Sequence, residues 1–246
     1  MSTVTNSNAD ANEFMHFLCE NQSSDMLSGM KLETCASKIC EKCDNVTNTR
    51  TKLDYHQVSW LMSQEEWNRG KIKLKTLLGK VPFDTMECDC ERCQTRTKRK
   101  EYTTISESPQ QLLYINVCRS LGMLDRSVAN KAYYIPDEEN YRDLVTYTLI
   151  CPRVLKYKTK AYDEKKRKVV VKRNDEFHLQ GVIRSIIQEE PPSAKYHFDC
   201  HCINKEGKWI HYDDYESKDS NLFDKNQDEF ESNSVAALFY KRISNV

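Results

Sequence analysis

Between Tyr196 and Ile203 the chain alternates strictly. Tyr196, Phe198, Cys200 and Cys202 fall on one side, and His197, Asp199, His201 and Ile203 on the other. A period of two is the mark of a strand, whose successive side chains point to opposite faces. Asn204-Lys205-Glu206-Gly207 supplies a turn and Lys208–Tyr212 resumes the strand pattern, so residues 195–214 predict a β-hairpin. Further runs rich in β-branched and aromatic residues predict strands at Leu112–Cys118, Thr146–Cys151, Val169–Lys172, Phe177–Ile187 and Val235–Lys241. Clusters of Gly, Pro, Asn and Asp bound them.

The first third of the chain reads differently. Residues 1–8 form a polar lead that predicts disorder. A short helix is expected from Asp10, with Glu13 as its capping-box partner and Phe14, Phe17 and Leu18 on one face. Residues 22–36 read as connection, and a polar strand-like stretch runs on to Val58. A second helix is expected from Ser63, its N-cap, to Leu78, with Trp67, Ile72, Leu74, Leu77 and Leu78 apolar and Gly79 closing it. No internal repeat is visible. Helices first and strands afterwards give an α+β class.

Composition narrows the function. The 246 residues carry 37 Lys+Arg and 37 Asp+Glu, a formal net charge of zero, which argues against a protein built to grip nucleic-acid phosphates. Charge is segregated: residues 153–173 are basic and residues 213–231 acidic, runs that are usually solvated loops or strand edges. No run of 18 apolar residues exists and the N-terminus lacks the basic and apolar regions of a signal peptide. Neither a nucleic acid nor a membrane is therefore expected as a partner, and the expected address is cytoplasmic, nuclear or both.

Eleven cysteines, an odd number, include two tight pairs, Cys40–Cys43 and Cys90–Cys93. A CxxC knuckle presents two thiolates on one turn, and two knuckles complete the tetrahedron that zinc prefers. These four residues are the candidate ligands of a structural zinc ion. Cys88 is a possible substitute and Cys35 a weaker one. The 46 residues between the pairs require the chain to leave the site and return.

The hairpin carries the other chemistry. A three-residue loop is expected to set His197 across from Asp213, and a two-residue loop across from Asp214. Opposed residues have Cβ atoms about 5 Å apart, so either register brings an imidazole within reach of a carboxylate. An imidazole oriented by a carboxylate can act as a base toward a nucleophile. It can equally be a surface pair with no chemistry.

Several stretches, in order, resemble the ubiquitin-specific proteases. Residues 9–14, ADANEF, are similar to that family's QDAxEF helix start. SPQQLLYINV at 108–117 resembles its LPxxLxIxL strand, and FHLQGVI at 177–183 its YxLxGVI strand. YHFDCHC…GKWIHYDD resembles the histidine box GHYxAY…GKWYxFDD, and VAALFYKR the closing AYxLFYxR strand. The resemblance implies a papain-like thiol peptidase fold that cleaves (iso)peptide bonds at the ubiquitin C-terminus, with zinc in its fingers. Residues 9–243 would be a partial catalytic domain: 9–36 a residual thumb helix, 37–107 fingers with the zinc ribbon, 108–243 palm with the histidine box. His197 would be the general base and Asp213 its orienter. Asp10 and Glu13 would meet the ubiquitin tail, whose arginines a carboxylate can pair. Gln188–Lys195 would be a loop beside the cleft, and ubiquitin or ubiquitinated proteins the partners.

The departures are specific. The family nucleophile sits in a box resembling GNTCYxNS upstream of QDAxEF, and none of the eleven cysteines has that context. Cys19 follows the helix start instead of preceding it. The box and most of the thumb are thus expected to be absent, and the isolated chain to be inactive. Tyr196 stands where the family has glycine before its histidine, and Ala9 where it has glutamine. Two readings follow: a deubiquitinase catalytic part, or an inactive pseudo-deubiquitinase that binds ubiquitin or another protein as a zinc-stabilised scaffold.

Overall fold

The structure, a computed structural model, describes residues 28–58, 64–81, 83–117, 147–187, 196–214, 216–223 and 227–243. The helix expected from Asp10, the Ser63 cap and the 188–195 loop lie outside them. In chain order the described elements begin with β1 (Leu32–Cys40), β2 (Val46–Leu53), β3 (His56–Gln57), α1 (Gln64–Asn68), β4 (Lys71–Lys73) and α2 (Leu74–Gly79). Then come β5 (Phe83–Cys90), β6 (Thr95–Glu107), β7 (Leu112–Asn116), β8 (Thr148–Pro152), β9 (Val154–Asp163) and β10 (Lys168–Ile187). The last are β11 (Tyr196–Ile203), β12 (Trp209–Asp213), β13 (Glu216–Asp219), β14 (Glu229–Ser232) and β15 (Val235–Arg242).

The strands make three sheets. A four-stranded antiparallel sheet runs β2-β1-β6-β5, and a three-stranded one β14-β8-β4. The largest, of eight strands, runs β13-β12-β11-β10-β15-β7-β3, with β9 also paired to β10. Only β3–β7 and β4–β8 are parallel pairs among the described strands. β7 and β15 are interior strands of the large sheet and are nearly continuous apolar runs, as strands covered on both faces must be. Leu113, Ile115, Leu155, Phe177, Val182 and Leu238 form the heart of one core, joined by Leu74 and Leu77 of α2. A smaller cluster of Met30, Tyr114 and Ala237 covers the other face, where the Tyr114 and Phe239 rings stack at 5.0 Å. The Tyr240 hydroxyl, wholly buried, donates to the carbonyl of Pro152 at 2.8 Å and so ties β15 to the end of β8.

Three expectations need correction. The helix predicted from Ser63 to Leu78 is broken in two by β4. Gly70 takes a positive φ of 64°, and Lys71–Lys73 then pair with Thr148–Ile150 of β8, so an apolar pattern compatible with one helix serves a strand and a short helix. Residues 32–36, read as connection, open β1. Residues 168–187, predicted as two strands with a gap, are one strand of 20 residues. Its first half pairs with β9 and its second with β11 and β15. The basic stretch at 153–173 therefore lies on a β9–β10 hairpin, whose charged residues sit on its solvated edge and turn.

That hairpin reaches back to the four-stranded sheet. Arg167, in its turn, pairs with Asp44 Oδ2 at 2.5 Å, and Tyr162 stacks on Tyr102 of β6 at 5.6 Å. At its other end β10 sets Ile186 beside His197.

Candidate functional site

The two CxxC pairs occupy the tips of the β1–β2 and β5–β6 hairpins. The two turns are built alike. Asp44 and Gln94, each following the second cysteine of its pair, both take positive φ (54° and 50°). Their amides donate to Cys40 O at 2.9 Å and Cys90 O at 2.7 Å. Each turn thereby aims two thiols the same way, and the sheet brings the turns together. One Sγ from each of Cys40, Cys43, Cys90 and Cys93 lies within 4.8 Å of the others, close enough to hold a metal ion. The Sγ–Sγ separations are 3.9 Å for Cys40–Cys93 and 3.6 Å for Cys43–Cys90. Four thiolates about 2.3 Å from a tetrahedral zinc lie roughly 3.8 Å apart, so the donor set fits that ion. Backbone N–H groups of Cys93 and Arg92 outweigh burial and lower the Cys90 thiol to about 6. Cys35 lies up β1, against Ser37 and Asn48, and is not part of the cluster. The side chain of Cys88 lies outside the described ones.

The β11–β12 hairpin closes through Asn204, whose amide donates to Lys208 O at 2.9 Å while its Oδ1 accepts from the Lys208 amide. Gly207 holds φ 79° in the resulting three-residue loop. The pairs are Cys200–Tyr212, His201–His211, Cys202–Ile210 and Ile203–Trp209. This register differs by one or two residues from those expected. Continued by one step, it sets Asp199, not His197, across from Asp213. The two candidates still meet, along the diagonal between neighbouring strands: His197 Nε2 and Asp213 Oδ1 are 2.5 Å apart. That hydrogen bond is the largest cause of a raised pKa for His197, above its ordinary value of 6.5; burial opposes it, and the charges of Asp213, Asp214 and Asp199 add to it. With Nε2–H donated to Asp213, Nδ1 is the nitrogen left for a substrate or nucleophile. Among the described residues no thiol is hydrogen-bonded to His197, and Cys200 and Cys202 lie on the opposite face of their strand. Asp10, Glu13 and Cys19 lie outside the described residues.

The register also exposes a group that residue types alone did not single out. Arg184 of β10 lies across from Asp199 and grips it with both prongs, Nε to Oδ1 at 2.9 Å and Nη2 to Oδ2. His211 Nε2 donates to Asp199 Oδ2 at 2.8 Å. Burial would raise the Asp199 carboxyl, but these hydrogen bonds outweigh it and hold it below the usual carboxylate range. His201 stacks on His211 with ring centres 4.4 Å apart and donates or accepts through Nδ1 at Ser220 Oγ, 2.6 Å away. Its burial, reinforced by the charges of Arg184 and His211, depresses its pKa to about 4. The signal was present: His197, Asp199 and His201 share a face by alternation, and the true register adds His211 and Asp213 to it.

No protein-family model matches the sequence, and no curated protein matches it. Solved structures do. The SAGA Ubp8/Sgf11/Sus1/Sgf73 DUB module bound to ubiquitin aldehyde matches with a TM-score of 0.61 at 16% identity, over 96% of this chain and 50% of that chain. The same module in a variant bound to monoubiquitin matches with a TM-score of 0.61 at 15% identity, over 97% and 49%. This chain spans about half the length of the solved chains it matches. Identity so low shows the fold alone: one like that of the ubiquitin-specific-protease deubiquitinase in that module.

Proposed function

We propose that this chain is a ubiquitin-specific-protease-type module that binds the C-terminal tail of ubiquitin and holds the base of a thiol peptidase site. The observation that carries the proposal is the 2.5 Å hydrogen bond between His197 and Asp213, formed within a fold like that of a deubiquitinase. Asp213 fixes the imidazole tautomer and stabilises the imidazolium, and Nδ1 accepts the proton of a thiol placed against it. Residues 37–107 serve as fingers and 108–243 as palm. A zinc ion held by Cys40, Cys43, Cys90 and Cys93 shapes the fingertip; it supplies structure and takes no part in proton transfer. Asp10 and Glu13 pair with arginines of the ubiquitin tail.

The binding reading stands ahead of the hydrolytic one for the 246-residue chain. A cysteine nucleophile must lie within hydrogen-bond reach of its base. None of the thiols described here does so, and no cysteine has the sequence context of the family's nucleophile. The expected result with a ubiquitin C-terminal fluorogenic substrate is no turnover, together with chemical-shift changes at the tail of ¹⁵N-labelled ubiquitin when the chain is titrated in. Turnover that disappears in His197→Ala would establish hydrolysis and refute the inactive reading. An absence of shifts at high ubiquitin concentration would remove ubiquitin as the partner.

A further inference from the structure

The buried group beside the His197–Asp213 pair has the composition of a metal centre. Asp199, His201 and His211 offer one carboxylate oxygen and two imidazole nitrogens, all within 4.8 Å of one another. Asp199 and His201 are buried, and the His211 side chain is nearly so. The telling atom is Nε2 of His201, which is buried and has no hydrogen-bond partner. A buried polar nitrogen left alone is unusual enough that an ion or water commonly accounts for it.

The rest of the arrangement fits a ligating imidazole. A histidine bound to a metal through one nitrogen generally gives its other N–H to an oxygen that fixes the ring. Here Nδ1 of His201 meets Ser220 Oγ at 2.6 Å, and that hydroxyl is itself held by the Leu222 amide at 3.1 Å. With Nδ1–H donated to Ser220, Nε2 carries a bare lone pair. Asp199 is oriented by Arg184, with Nε on Oδ1 and Nη2 on Oδ2, so the ion would take the place of the His211 N–H on Oδ2 beside the guanidinium.

We propose that Asp199, His201 and His211 bind one zinc-type divalent transition-metal ion, as a second centre independent of the four-cysteine cluster. Two imidazoles and a carboxylate are a donor set suited to such ions, with a fourth position open to water. His211 joins as the tautomer with its proton on Nδ1, giving up its present hydrogen bond to Asp199. The two rings, stacked at 14°, must tilt apart for both in-plane lone pairs to meet one ion, and the three donors then take the spacing of about 3.3 Å that bonds of 2.0–2.1 Å impose. The Arg184 guanidinium opposes the ion, so this centre fills after the cysteine cluster and at higher free metal. The rival is a closed Arg–Asp–His network with a water on His201 Nε2.

The proposal does not rest on the peptidase reading, and its test is separate from it. The whole reduced chain, stripped of metal, is titrated with Co²⁺ and followed by absorption, with bound metal counted after dialysis against Zn²⁺. Two equivalents are expected. The first brings the thiolate-to-cobalt charge-transfer band, and the second only weaker d–d bands. His201→Ala, folded by far-UV circular dichroism, is expected to keep the first and lose the second, and Cys90→Ser the reverse. In unsubstituted protein, zinc is expected to move the ¹⁵N resonances of His201 and His211 into the metal-bound range, a readout that survives if a variant does not fold. A wild-type chain that stops at one equivalent, or imidazole nitrogens that ignore zinc, would overturn the second centre in favour of the water-filled network.

Discussion

Replacing Cys90 by serine removes one thiolate from the cluster at the tips of β1–β2 and β5–β6. The structure indicates how much that should matter locally. In β1, β2, β5 and β6 the buried apolar residues described are Leu32, Ile39, Cys40 and Cys90, and Leu32 belongs to the main core at the far end. Near the tip only Ile39 contributes ordinary hydrophobic burial, worth about 1.5–3 kcal/mol. A structural zinc in a four-thiolate site contributes an apparent stabilisation on the order of 10 kcal/mol. The ion therefore outweighs apolar packing at the tip several-fold, while the eight-stranded sheet, with its own core, does not depend on it. Cys90→Ser is expected to release the metal and to abolish slow amide exchange in residues 40–53 and 84–99. Exchange in β7, β10 and β15 should change little. Hydrogen–deuterium exchange with mass spectrometry reads both regions in one experiment. If residues 40–53 stay as protected without metal as with it, the assignment of tip stability to the ion is wrong.

Three further outcomes are expected. Asp213→Asn should lower the titration midpoint of His197 seen by NMR, because the hydrogen bond His197 donates to that carboxylate is the chief cause of its raised value. A raised histidine stabilises the fold fully below about pH 6.5, and that stability fades as pH rises through the folded value. The variant's deficit in urea unfolding should thus be largest on the acid side. His56, partly buried and hydrogen-bonded to Tyr157 Oη at 2.7 Å, is depressed to about 4 by desolvation and then by the charge of Lys160. Its neutral form stabilises the fold above pH 6.5, and the gap to about 4 at 1.36 kcal/mol per pH unit makes roughly 3 kcal/mol, lost as pH falls across that interval. His56→Phe should flatten this part of the stability–pH curve; an unchanged slope would refute the assignment. Leu238→Ala, at a fully buried position paired across from Ile115 and Val182, should cost about 2–5 kcal/mol in chemical denaturation.

What the sequence disclosed and what it hid have physical reasons. Strands with one wet face, such as Tyr196–Ile203, announce themselves by alternation, and the observed β11 has the same bounds. Buried strands such as Leu112–Asn116 show as apolar runs. β1, β2 and β6 were harder to see because their side chains are largely exposed or polar and their order comes from pairing and from the cysteine turns. β4 was hidden because three residues pairing in parallel with β8 leave no periodic trace. The cysteine cluster could be read from spacing alone, since a CxxC turn aims both thiols locally. The Asp199–Arg184–His211 group could not, because it depends on two strand registers at once. The expected register was off by one or two residues, and His197 still found Asp213 only because a diagonal neighbour lies within side-chain reach.

β10 imposes a counting rule on the molecule. One end of its hairpin touches the cysteine turn through Arg167 and Asp44, and the other lies beside His197. Twenty residues at about 3.3 Å each make a contour of roughly 60 Å in one strand, whose pairing shifts register at Val171–Arg173 with β9 and at Leu179–Gly181 and Ile183–Arg184 with β15. An insertion of a single residue midway would turn every later side chain over, sending Arg184 to the face away from Asp199. An insertion of two would preserve the faces and lengthen the span by nearly 7 Å. Change along this strand is therefore quantised: variants that retain both ends should differ in length by even steps, or carry a bulge that restores the phase.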